Sequence, residues 1–104
     1  MANIQRGEIS ALIEGEERIL CLTLGALAEL EARLMAGDLV GLSERFASGR
    51  VSARDLTAII GAGLRGGGND VSDDDLARMA IEGGLRGAAE IAAKLLRATF
   101  GDAA

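Results

Sequence analysis

The sequence predicts an α+β fold, mainly α, in which an N-terminal β-hairpin is followed by four or five short amphipathic helices. Two observations predict it. Apolar residues alternate with period two up to Thr23 and recur at helical spacing after it. The chain also has no Pro, Trp or Tyr and only two Phe, so its core must come from Leu, Ile, Val and Ala. That set suits closely packed helices. With 104 residues, 49% of them hydrophobic and 26% charged, the chain is long enough for one core and one domain, spanning 1–104.

The hairpin is expected at about 7–23. Residues 7–14 and 17–23 are rich in β-formers and are separated by Gly15-Glu16, which suits a two-residue type II′ turn. In that register Ile9, Ala11 and Ile13 share an apolar face with Leu20 and Leu22, while Glu14 faces Glu17 across the turn at a mild cost. Cys21 lies in this apolar run and reads as a small buried hydrophobe. As the single cysteine it excludes an internal disulfide and fits a reducing compartment.

The helical part is expected at about 24–101. Thr23 can cap a first helix whose stripe is Leu24, Leu27, Leu30 and Leu34, with Glu29 and Arg33 paired on its outer side and Gly37 as its stop. A second, shorter helix begins at Asp38, buries Leu39, Leu42 and Phe46, and ends at Gly49. Then comes an internal repeat. Val51-Ser-Ala-Arg-Asp-Leu56 resembles Val71-Ser-Asp-Asp-Asp-Leu76, and Gly63-Leu-Arg-Gly66 resembles Gly84-Leu-Arg-Gly87. In each copy a serine caps the helix, an aspartate three residues on can bond back to it, and Val and Leu form a hydrophobic staple. Residues 66–71 form a glycine-rich linker. The last section holds two helices or one bent one, weakened at Gly83-Gly84 and Gly87, with stripes at Leu76, Met79, Ala80 and at Ile91, Leu95, Leu96 running to Phe100. Gly101 closes it, and residues 102–104 should fray.

One motif asks for a nucleotide. Gly61-Ala62-Gly63-Leu64-Arg65-Gly66 has the spacing G-x-G-x-x-G. A dinucleotide site needs a strand before that motif and a helix starting at it, because the helix N-terminus carries the N–H groups that hold phosphate. Here a capped helix precedes the motif, so the glycines sit at a helix C-terminus, where carbonyls face out. Close helix packing explains them better.

No catalytic constellation is present. There is no His to act as base or metal ligand, and Cys21 has no partner. Asp73-Asp74-Asp75 are consecutive in a helical first turn, which complements the dipole, whereas hard cations want oxygens spaced around a loop. The sequence therefore implies no enzyme, no cofactor and no metal. A net charge of −5 with scattered basic residues excludes nucleic acid. No leader and no apolar run of about 20 residues is seen, so the expectation is a cytoplasmic protein away from membranes. What remains is a binding or assembly module.

The order Arg6-Gly7-Glu8, Leu22-Thr-Leu-Gly-Ala-Leu-Ala-Glu-Leu-Glu31 and Asp38-Leu-Val-Gly-Leu-Ser-Glu-Arg-Phe46 resembles the tail-assembly proteins of gene transfer agents, phage-derived particles made by alphaproteobacteria. The likeness continues through Ser52-Ala-Arg-Asp-Leu56, the GAGLRG segment and Leu95-Leu-Arg-Ala-Thr-Phe-Gly101. It implies a non-enzymatic role in building a phage-like tail, with tail tube and tape-measure proteins as partners. The family carries two descriptions, tail-assembly chaperone and tail tube protein. The first implies a chaperone for tube or tape-measure assembly, the second a subunit incorporated into the particle. A small regulatory protein-binding module is the alternative outside assembly. In each reading the hairpin, with Ile9, Ser10, Ile13, Leu20 and Leu22, is the candidate partner-binding region, and its edges also leave a homo-oligomer open.

Overall fold

The computed structural model describes residues 2–34, 44 and 52–101. A single turn of 3₁₀ helix, Ile4–Arg6, leads into strands β1, Glu8–Ile13, and β2, Glu16–Cys21. Among the described residues four α-helices follow: α1, Leu24–Leu34; α2, Ala53–Gly66; α3, Asp73–Ala77; and α4, Gly84–Phe100. The α+β, mainly α, architecture is the one the change of period predicts. Of the helix expected from Asp38 to Gly49 only Glu44 is described, and it is helical; the rest of it and the fraying expected at 102–104 lie outside the described residues.

β1 and β2 pair antiparallel, with Ile9 opposite Leu20, Ala11 opposite Arg18 and Ile13 opposite Glu16. The turn is therefore Glu14-Gly15 and not Gly15-Glu16. Both turn residues have positive φ, 57° and 74°, as a type I′ turn requires. The correction moves the pairing by two residues. A shift of one would have exchanged the faces, but a shift of two preserves them. Ile9, Ile13, Leu20 and Leu22 are accordingly buried together, although Leu22 lies just past the end of β2.

Glu14 does not face Glu17, which pairs with Leu12. Its N–H donates to the Ala80 carbonyl at 2.8 Å, its carboxylate accepts from the Ala80 N–H at 2.9 Å, and Ile13 bridges to Ile81. These bonds offset an unusual backbone at a residue that is not glycine. They also explain why Ala80 is exposed and outside any helix: it is tied to the hairpin tip, and only Leu76 and half-buried Met79 of its expected stripe meet the core.

α2 is the centre of the molecule. It touches β2 on one side, α4 and α3 on others, and α1 along its length. Ile59, Ile60, Ala62 and Leu64 are no more than 1% exposed, and they meet fully buried Leu20, Leu30 and Leu95 in one core. Burying a side chain of this size contributes about 1.5–3 kcal/mol. The close approach of α2 to β2 depends on glycine: a Cβ at Gly66 would overlap the Cys21 carbonyl, and one at Gly67 the Ile19 carbonyl. Asn69 then seals the helix end. Its side-chain amide donates to the carbonyls of Ile19, at 2.8 Å, and Leu64, at 3.1 Å.

Two expected core residues lie elsewhere. Leu24 is 86% exposed, because two residues of helix are a 200° rotation and Ala26 and Leu30 face the core. Cys21 is half-exposed on the sheet's outer side, with its Sγ 3.6 Å from the Arg6 carbonyl. Strand alternation decides this: Cys21 neighbours Leu20, which points inward. Phe100, at the end of α4, is 42% exposed.

Candidate interaction surfaces

Both capping boxes form completely. Ser52 Oγ accepts from the Asp55 N–H at 3.1 Å, and Asp55 accepts from the Ser52 N–H at 3.1 Å. Ser72 and Asp75 repeat this at 3.0 and 3.2 Å, so aspartate closes the box as well as the usual longer acid. Val71 and Leu76 are both buried, as a staple at the second box needs. The Ser72 N–H, followed by its hydroxyl, holds the Asp75 carboxyl below the usual carboxylate range.

The adjacent aspartate has a different task. Asp73 accepts from Arg33 at 2.5 Å and from Arg65 at 3.0 Å, and Arg65 also binds Glu29 and the Val71 carbonyl. Four charged side chains from three helices thus form one cluster. Desolvation opposes charge on Arg65, but hydrogen bonds to Glu29 and Asp73 outweigh it and raise the pKa above its ordinary value. The Glu29–Arg33 pair expected on an outer surface is instead part of this seam, with Arg33 Nε 3.9 Å from Glu29. Sequence spacing pairs Glu29 with Arg33 but has no signal for Arg65 and Asp73, which join them only when α1 and α3 dock on α2.

The GAGLRG segment occupies the C-terminal part of α2, after eight helical residues, and not a strand-to-helix turn. Gly61 lies where a Cβ would overlap Asp73, so the glycine admits the ion cluster. Among the described residues no three His, Cys, Asp or Glu side chains converge as metal ligands, and no helix is long and apolar enough to cross a membrane.

Among the described residues two surfaces remain open. One is a shallow groove of about 280 Å³ between α2, α3 and the start of α4, lined by Leu56, Ile60, Leu76, Met79, Ile81 and Leu85 among others. Leu85 at its edge is 69% exposed. The other is the hairpin's outer side. Of the five candidate partner-binding residues, Ile9, Ile13, Leu20 and Leu22 are brought together in the core, under α2 and α4. Only Ser10 is exposed, and Leu12 beside it is 48% exposed. The backbone direction follows from the bonds at both ends of β1. Glu8 and Glu14 direct their N–H groups away from β2, to Asn3 and Ala80, so Ser10 and Leu12, in the same alternation, also point outward. The bridge from Ile13 to Ile81 sets Glu82 opposite Leu12, so among the described residues only the Ser10 peptide groups have no hydrogen-bond partner beyond the hairpin.

The sequence matches the family described as "Phage tail tube protein, GTA-gp10" over residues 6–102. The chain belongs to this family. Membership covers nearly the whole chain, both open surfaces included, and gives the protein a structural, tail-associated role in a phage-like particle. No curated protein and no solved structure matches the chain.

Proposed function

We propose that this tail tube family member acts as a chaperone of tail assembly, holding tail tube subunits or the tape-measure protein through the outer edge of its hairpin. The observation that carries this reading is the division of the hairpin into two sides. Its apolar face is spent on the protein's own core, while the outer side of β1 exposes the Ser10 peptide groups, unpaired among the described residues, beside the exposed side chain of Leu12. Such an edge accepts an extended segment by strand addition, with main-chain bonds giving affinity. No catalytic step and no cofactor enter this function.

The description of the family as a tube protein favours a second reading, a subunit that stays in the finished tail. Nothing in the structure favours a regulatory module. Co-expression with the tail tube and tape-measure proteins, followed by co-purification, tests the chaperone reading. Retention of either partner is expected, and Ser10→Glu should reduce it, and particle yield, far more than it lowers the melting temperature. If neither partner is retained and particles form at normal yield without the gene, the assembly role is wrong. The protein's presence in purified particles, at a stoichiometry matching a ring component, would replace the chaperone by the subunit.

A further inference from the structure

We infer that residues 80–82 form a displaceable strap, which occupies the tip half of the β1 edge in place of a partner strand and yields when a tail partner adds there. The competition rests on the strand-addition reading of that edge, and it makes the edge self-closing.

The strap is placed as a third strand would be. Ile81 bridges antiparallel to Ile13, which sets Ala80 opposite Glu14 and Glu82 opposite Leu12. The Glu14 N–H donates to the Ala80 carbonyl at 2.8 Å. The Ala80 N–H donates in return at 2.9 Å, but to the Glu14 carboxylate and not to its carbonyl. A side chain thus completes what a backbone ladder would otherwise supply. Ser10, unpaired among the described residues, is where a partner strand gains its first hold. To continue along β1 toward the tip, that strand needs the positions that the strap occupies, so the two exclude each other.

Little holds the strap in place. Outside its own turn, its fastenings among the described residues are the two Glu14 bonds and the Ile13 bridge. Ala80 and Glu82 are exposed and Ile81 is only half-buried, so its departure gives up little apolar contact. Its two ends can turn. α3 stops at Ala77, and Gly83 and Gly84, both at positive φ of 87° and 60°, follow the strap. Glycine moves between left- and right-handed backbone without a steric penalty, which makes this pair a hinge before α4. Exposed hydrogen bonds and sparse burial put such a segment at the low-stability end of a fold. Ile81 also lines the groove between α2, α3 and α4. Displacing the strap withdraws it from there, so the two open surfaces respond together.

Amide exchange on the purified full chain tests the displacement without a partner. The Glu14 and Ala80 amides should show equal protection, at least about tenfold below that of Ile59 and Leu95. Glu14→Gly suits the left-handed turn but removes the carboxylate, and should lower protection at position 14 by a further three- to tenfold, roughly, while the core amides stay unchanged. Protection at Glu14 and Ala80 equal to that of the core overturns the inference, as does a Glu14→Gly protein as protected at position 14 as the wild type. In a Leu12→Cys, Glu82→Cys, Cys21→Ser protein, a disulfide between opposite residues locks the strap, and reduction frees it. On co-purification with the tail tube and tape-measure proteins, the reduced form should retain its partner and the oxidised form should lose it, with circular dichroism unchanged. Equal retention by both forms overturns the competition and leaves the assembly reading standing. If neither the reduced form nor the wild type retains a partner, the assembly reading itself fails and the competition falls with it.

Discussion

The two copies of the internal repeat begin alike and end differently. Ser52 and Ser72 both cap, and Asp55 and Asp75 both close the box, yet α2 runs for 14 residues and α3 for five. The second half of the motif separates further. Gly63-Leu-Arg-Gly66 finishes α2, whereas Gly84-Leu-Arg-Gly87 starts α4. A cap is a contact among four neighbouring residues, so it travels with its sequence. Where a helix stops depends on what its flank meets. α2 is buried against β2, α1 and α4, while the segment after α3 is drawn to the hairpin tip by Glu14.

The largest difference between the copies is expected at their last glycines. A Cβ at either would overlap a carbonyl, that of Cys21 for Gly66 and that of Glu82 for Gly87. The first obstacle is a strand fixed in the core. The second is an exposed turn next to Gly83 and Gly84, held to the hairpin on its N-terminal side through Ile81. Gly66→Ala should therefore cost about 3 kcal/mol through overpacking. Gly87→Ala should cost about 1 kcal/mol, because the turn yields and alanine is the better helix former. Urea unfolding of both variants decides this, and equal losses would mean that the α2–β2 seam is as yielding as a surface turn.

The arginines inside the two GLRG segments come next. Arg65 binds Glu29, Asp73 and the Val71 carbonyl, whereas Arg86 is exposed and has no ion pair among the described residues. Removing Arg65 leaves two half-buried carboxylates close together. Arg65→Ala is expected to cost about 1–3 kcal/mol, as for other charged hydrogen bonds, and Arg86→Ala no more than about 0.5 kcal/mol. Thermal unfolding at low and high salt sharpens the contrast. The Arg65 loss should shrink at high salt only in part, since screening acts weakly on partly buried pairs.

These contrasts mark what was legible in the sequence. Period and caps identified the hairpin and the helix starts, since both are local patterns. The inward face of the hairpin was also legible, because parity survives an error of two residues in the turn. The turn itself was misplaced because Glu14 adopts a left-handed backbone that its own sequence does not request, and Ala80 supplies the compensation. Leu24 and Cys21 were misplaced for a related reason. Cys21 sits beside a core position and Leu24 two residues from one, and hydrophobicity alone does not say on which side of the chain a residue lies. As for the candidate surface, the sequence named the hairpin but mixed its two sides. Burial separates Ser10 from Ile9, Ile13, Leu20 and Leu22.

The smallest expected effect tests the part of the repeat in which the copies agree. Ser52→Ala and Ser72→Ala each lose one N-cap bond and should each cost about 1 kcal/mol. At the second box the effect carries a pH signature. The Asp75 carboxyl is held below its ordinary 3.8 by the Ser72 N–H and, after that, by the Ser72 hydroxyl. A folded-state pKa below the unfolded value stabilises the protein above about pH 3.8, and the contribution disappears as pH falls through the lowered value. The cap should thus persist through the neutral and mildly acidic range and fail only in acid. Carboxyl NMR titration should show the Asp75 midpoint rising part of the way toward 3.8 in Ser72→Ala, since the backbone bond remains. A midpoint unmoved by the substitution would mean that the hydroxyl contributes nothing to the carboxylate, and the reciprocal half of the box would be geometry without energy.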